Sequence, residues 1–238
     1  MTIVRELDID SLVLTRGAHS PDGVMCLLEA VAYVAGEPWS DSPQCVSPVL
    51  AAFGRAWNDG MRTDEERASL KPYITRMIGT AGDAEADERR AWLATDWLVR
   101  VCAPAWLRLA GLNERADALA ALQPIVNAAY AASVQGEITA ASREAAAAWD
   151  AAWDAAWGAA RAAAWAAARA AAWAAAWAAA RAAAWAAARA AAWAAAWGAL
   201  EPTVLALQKS GHVLFTKMID AEEVPTRWPE LNIAGAGR

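Results

Sequence analysis

Thirteen positions spaced four residues apart, from Trp149 to Trp197, hold only Trp or Arg, and nearly every residue between them is Ala. The interruptions are Asp150, Asp154 and Gly158, and residues 161–180 recur at 181–200 with changes only at positions 198 and 200. Ala is the strongest helix former and Arg follows closely. Each Trp–Trp or Trp–Arg pair stands at i,i+4, where side chains meet on a helix surface. The segment is therefore expected to be helical, about 73 Å long if unbroken at 1.5 Å per residue.

The period constrains the fold more than the composition does. Four residues turn by about 400°, so the stripe drifts about 40° per step and passes more than once around the helix. Such a stripe is neither a flat amphipathic face nor a 3.5-residue coiled-coil seam. A Trp ring offers on the order of 200 Å² for burial, and burying rings on all sides needs partners on several sides. The expectation is an Ala-rich helical repeat segment that packs back on the chain or oligomerises. Gly158 is the cheapest break point, since Gly costs about 1 kcal/mol relative to Ala in a helix. The residues expected to make the interaction are Trp165, Arg169, Trp173, Trp177, Arg181, Trp185, Arg189 and Trp193.

Other readings of the stripe are weaker. A membrane-surface helix needs polar and apolar faces, which this stripe does not separate. A tetrapeptide β-solenoid is disfavoured because Ala is a poor strand former. Four Arg over this length are sparse for nucleic-acid binding, and the net charge of −6 points the same way. No run of 18 uncharged apolar residues exists; the longest uncharged windows of the repeat are Ala170–Ala180 and Ala190–Leu200. The first 20 residues carry Arg5, Glu6, Asp8 and Asp10 and no apolar leader core, and the three cysteines show no CxxC spacing. Together these point to a cytoplasmic protein with reduced thiols.

The rest of the chain reads as short helices. One opens at Asp22 or Gly23 and ends at Gly36; Ser47-Pro48 starts a second, which ends near Gly60. Thr63 to Glu66 is a capping box, and Pro72 opens a helix that closes at Gly79. Asp83 begins a longer helix, which Pro104 kinks or restarts and Gly111 ends. Asn113 caps the next, Pro124 starts another through Tyr130, and Gly136 breaks it. Thr139 opens the repeat, Pro202 marks its far end, and Thr203–Lys209 forms a last helix; residues 211–220 are ambiguous between helix and strand. The expected architecture is all-α: an N-terminal helical domain over 1–135, the tetrad-repeat segment over 136–200, and a short helical cap with a flexible tail over 201–238.

Only one cluster has evident chemical potential. His19, Cys26, Glu29 and Cys45 are ligand types for zinc, and Cys26 and Glu29 share a helix face at i,i+3. Their spacing fits no known zinc pattern. The competing reading makes Cys26 a small core residue, Glu29 a local cap or pair, and Cys45 a buried neighbour of Pro48. Asp96, between Trp92 and Trp97, is either a functional carboxylate or a solvated or Arg-paired one, and His212 follows Gly211 at an expected exposed turn. No phosphate-binding loop, nucleophile elbow or cofactor motif is present, so no cofactor is expected.

The stretch MCLLEAVAYVAGEPWSDSPQCVSPVLAAFGRAWND, residues 25–59, resembles an N-terminal module of uncharacterised actinobacterial and actinophage proteins that also carry Ala-rich C-terminal repeats with Trp and Arg. The likeness spans about residues 10–112 and the style of the repeat. It implies a phage or mobile-element origin and no particular activity. Such proteins carry a His where this chain has Ser42, which weakens a metal reading here. The function class expected is a non-enzymatic cytoplasmic interaction or scaffold protein that binds a protein partner or itself. The alternatives are a metal-dependent enzyme using the N-terminal cluster, and a membrane-active or immunity-type factor using the Trp/Arg helix.

Overall fold

The computed structural model describes residues 7–20, 24–145, 147 and 177–233, with the backbone alone for 177–197. Trp165, Arg169 and Trp173 lie outside the described residues, as does the expected break at Gly158. Among the described residues the fold is helical, with no strand beyond an isolated parallel bridge between Leu14 and Met25. No helix among them is long and apolar enough to cross a membrane. The chain forms two compact units, Met1–Thr95 with His212–Pro225, and Asp96–Gly211 with Thr226–Arg238. These boundaries differ from those at 135 and 200, because the last helical turns and the tail return to separate units.

The first unit contains α1 (Leu27–Val34), α2 (Pro48–Gly60), α3 (Asp64–Ala68), α4 (Tyr73–Arg76) and most of α5 (Ala84–Trp97). Ser47 caps α2 by accepting from the Leu50 N–H, with Pro48 in the first turn, and Thr63 caps α3 by accepting from Glu66 N–H. Both starts agree with the sequence reading. Helix α1 begins later than expected, with Cys26 at its N-cap. Its end agrees, since Gly36 takes φ +74°, a left-handed conformation that costs glycine little. Leu14, Leu27, Leu28, Leu50, Leu70, Ile74, Met77, Leu93, Phe215 and Met218 are fully buried. Each such side chain contributes about 1.5–3 kcal/mol relative to exposure. Gly54 lets α2 approach closely: a Cβ there would lie 3.3 Å from Leu27 and 3.5 Å from Phe215.

In the second unit the chain leaves α5 through a π-helical turn, Leu98–Cys102, and continues as α6 (Ala103–Leu109). Pro104 has no N–H to offer the carbonyl four residues back. The helix widens by one residue instead, with Ala103 N–H reaching Leu98 O, so the expected kink takes the form of a π-turn. Gly111 at φ +77° ends α6. Helices α7 (Asn113–Ala120) and α8 (Ala128–Ser133) follow. Asn113 is the first residue of α7, not its cap; Leu112 holds that place without a side-chain bond. Pro124 does not open α8 either. Asn127 does, accepting from Tyr130 N–H, because an Asx side chain satisfies a free helix N–H that Pro cannot reach. The break expected at Gly136 falls at Val134, and the chain is helical again over 135–145, here α9. Leu107, Ala116, Leu119 and Ala141 form one core cluster of this unit, flanked by Val99, Ala103, Leu112, Leu122, Ile138 and Ala145.

The last helix, α10 (Trp177–Ile219), corrects one expectation and decides between two open readings. It does not stop at Pro202, and residues 211–219 are helical. An interior Pro costs about 3 kcal/mol. Thr203, Ala206, Leu207, Ser210, Leu214 and Met218 are buried at i,i+3/i+4 spacing past it, and that continuous face offsets the lost bond.

Candidate functional site

The polar cluster singled out in the sequence assembles around the extended leader and the start of α1. Leu14 is buried and anchors the leader, while Thr15 N–H donates to Met25 O at 2.9 Å. Asn58 on α2 holds both strands of chain: its amide NH2 donates to Thr15 O at 3.0 Å and its oxygen accepts from Leu27 N–H at 3.3 Å. Gly17, at φ +86°, turns the leader and donates its N–H to Asp59 at 2.9 Å. That turn delivers His19 onto Glu29. The Trp39 indole N–H fixes it from the other side by donating to His19 O at 2.8 Å.

Glu29 is 1% exposed and accepts three hydrogen bonds, from His19 N–H at 2.6 Å, Cys26 N–H at 2.8 Å and His19 Nδ1 at 2.9 Å. Burial alone would raise its pKa, but the backbone N–H groups of Cys26 and His19 and the His19 ring outweigh it, and the carboxyl lies below its ordinary 4.5. An ionised carboxylate accepts only, so Nδ1 carries a proton towards it. The other ring nitrogen, Nε2, stands 3.0 Å from Thr15 Oγ1. Hydroxyl, imidazole and carboxylate thus lie in one hydrogen-bonded chain.

The four expected zinc-ligand types do not come together as a set. His19 and Glu29 pair directly, and Cys26 and Glu29 form a reciprocal capping box for α1. Cys45 belongs to a separate turn, where its carbonyl accepts from Gly79 N–H at 2.9 Å and its thiol lies beside Glu37. Burial pushes the Cys26 thiol up to about 12 and, with Glu37 nearby, the Cys45 thiol up to about 11. Thiols in such surroundings are protonated at neutral pH and are poor nucleophiles. Among the described residues no three His, Cys, Asp or Glu side chains are grouped so as to hold a metal ion.

Two further groups sit in other places. Asp96 is fully buried and accepts from Ile125 N–H at 2.7 Å, Trp228 Nε1 at 2.6 Å and Arg100 at 3.1 Å. It is Arg-paired, as one sequence reading had it, and not solvated. His212, expected at an exposed turn, is instead half-buried on α10, with its Nδ1 2.8 Å from the Tyr73 hydroxyl and its ring 4.7 Å from that of Trp57. Burial lowers its pKa below 6.5. The sequence offered no signal for Thr15 or Asn58, because their partners are supplied by the turn at Gly17 and by α2. Trp177, Arg181, Trp185, Arg189 and Trp193 fall on the backbone of α10, and their side chains lie outside the described residues. Compared with protein families, curated proteins and solved structures, the chain matches none.

Proposed function

We propose that this chain is an interaction or scaffold protein that works through its Ala/Trp/Arg helix, by self-association or by binding another protein. The observation that carries the reading is α10, helical from Trp177 to Ile219 over 43 residues, about 65 Å at 1.5 Å per residue. Its C-terminal half follows the ordinary i,i+3/i+4 burial of a helix packed on one side. Its N-terminal half carries Trp or Arg at every fourth residue, a period that rotates around such a helix and calls for partners on more than one side. Cytoplasmic location and phage or mobile-element origin belong to the same proposal, supported by the sequence features given above. Light scattering tests it on the full chain, read beside acrylamide quenching of Trp fluorescence. The expected result is a mass above the 25.1 kDa of one chain, or a quenching-protected monomer that becomes larger with a partner. Replacing Trp185 and Trp193 by Ala should lower that mass or protection. A monodisperse monomer with freely quenched, red-shifted emission would overturn the reading.

A further inference from the structure

We propose that Thr15 is an activated nucleophile for acyl transfer, with His19 as its general base and Glu29 as the residue that positions His19. The proposal is independent of the interaction reading, since it uses only the N-terminal unit. It rests on the hydrogen-bonded order Thr15 Oγ1–His19 Nε2 at 3.0 Å and His19 Nδ1–Glu29 Oε2 at 2.9 Å. A buried carboxylate that accepts from Nδ1–H leaves Nε2 facing the Thr15 hydroxyl, whose other partner is Met25 O at 3.4 Å. This is the geometric requirement for a hydroxyl nucleophile and its base: heavy atoms within hydrogen-bond reach, with the base oriented by a third group.

The surroundings are those of a site and not only of a strut. The His19 side chain is 17% exposed and Thr15 is half-buried, whereas Glu29 is sealed from water. Alternation along the extended leader puts Val13 and Thr15 on the face opposite the buried Leu14. Val13 is 54% exposed, and Val24, which the Leu14–Met25 bridge places alongside it, is 48% exposed. They leave a small apolar surface beside the hydroxyl, suited to a short acyl chain. Arg16 N–H, the next backbone donor in the chain, has no acceptor among the described residues. The residue after a nucleophile is a recurrent source of an oxyanion donor.

In the step proposed, Thr15 Oγ1 attacks the carbonyl carbon of an ester and its proton passes to His19 Nε2. The tetrahedral adduct collapses with cleavage of the bond to the alkoxy oxygen, which leaves as the alcohol with the proton from His19. Water then attacks the acyl-Thr15 ester, gives its proton to His19, and the carboxylic acid departs as that proton returns to Thr15 Oγ1.

The test uses the full chain with p-nitrophenyl acetate and with an alkyl fluorophosphonate, which bonds phosphorus to the attacking oxygen as fluoride leaves. Trypsin releases Glu6–Arg16, which holds two hydroxyls, Ser11 and Thr15, and fragmentation tells them apart. The expected result is one adduct on Thr15 in the folded protein and none in the urea-unfolded protein. Thr15→Ser keeps the adduct and Thr15→Ala loses it. His19→Gln slows labelling by about 10²-fold, the scale of general-base catalysis. Glu29→Gln slows labelling in a chain whose fold is retained by circular dichroism, and Glu29→Asp restores part of the rate, which a merely structural role would not do. Cys26→Ser keeps the adduct. No adduct, an adduct equal in folded and unfolded chains, or one on Ser11 or a cysteine would overturn the proposal. Site assignment in the wild-type chain decides the matter even if a variant fails to fold.

Discussion

The two units secure their buried polar groups in opposite ways. In the first, the work is divided among many modest contacts. Glu29 caps α1, Asn58 clamps the leader, and Arg67 is buried with its guanidinium on the carbonyls of Asn58 and Met61 at the end of α2. These sit beside a core of large side chains, where Phe53, Trp57, Tyr73 and Phe215 pack ring against ring at 4.9–6.4 Å. In the second, one carboxylate, Asp96, ties together the π-turn, the segment at Ile125 and the C-terminal tail at Trp228. A single buried group that joins three segments carries more of the order than any one of many modest contacts. The loss of a single group should therefore matter more in the second unit than in the first.

Asp96→Ala is the strongest way to break that comparison. It strands the Arg100 guanidinium, the Trp228 indole N–H and the Ile125 N–H at once, and removing one partner of a buried ion pair costs about 3–5 kcal/mol. Urea unfolding should show the loss; a cost under about 1 kcal/mol would show that the hub is dispensable. Glu29→Gln should cost less, about 1–3 kcal/mol, since the amide keeps some of the three hydrogen bonds and loses the charge. Equal losses for the two variants would erase the distinction between units. Ser47→Ala removes the α2 cap and should cost about 1 kcal/mol, read from the same unfolding curves. Its hydroxyl also donates to Asp87, so a larger loss would mark that bond as the main one.

The smallest expected effect is a pH dependence. Burial depresses the folded pKa of His212 below 6.5, so between that value and the folded pKa the unfolded chain binds more protons. Stability should fall as pH drops below 6.5 and level off beneath the folded pKa. His212→Gln should flatten that part of the curve. Glu29, depressed below 4.5 in the fold, contributes a separate loss that begins only as pH falls past 4.5. Two windows, one removed by each variant, would confirm the assignment to residues; a single acid transition untouched by either would refute it.

Local chemistry determined much of this protein without reference to the fold. Ser47, Thr63, Gly36 and Gly111 end or begin helices where they stand, because capping oxygens and left-handed glycines act over three or four residues. The helical character of 177–200 follows from Ala and Arg in the same way. What sequence alone could not decide involves groups distant along the chain or competing local signals. Pro202 stays inside a helix because a buried face continues past it, and Pro104 becomes a π-turn instead of a break. His212 is drawn from an expected turn to a stack on Tyr73, 139 residues away. The Thr15–His19–Glu29 chain exists only because Gly17 folds the leader back and Asn58 holds it down. Propensity and capping energies are local and of order 1 kcal/mol, whereas burial summed over a face is several times larger; where the two disagree, tertiary packing sets the outcome.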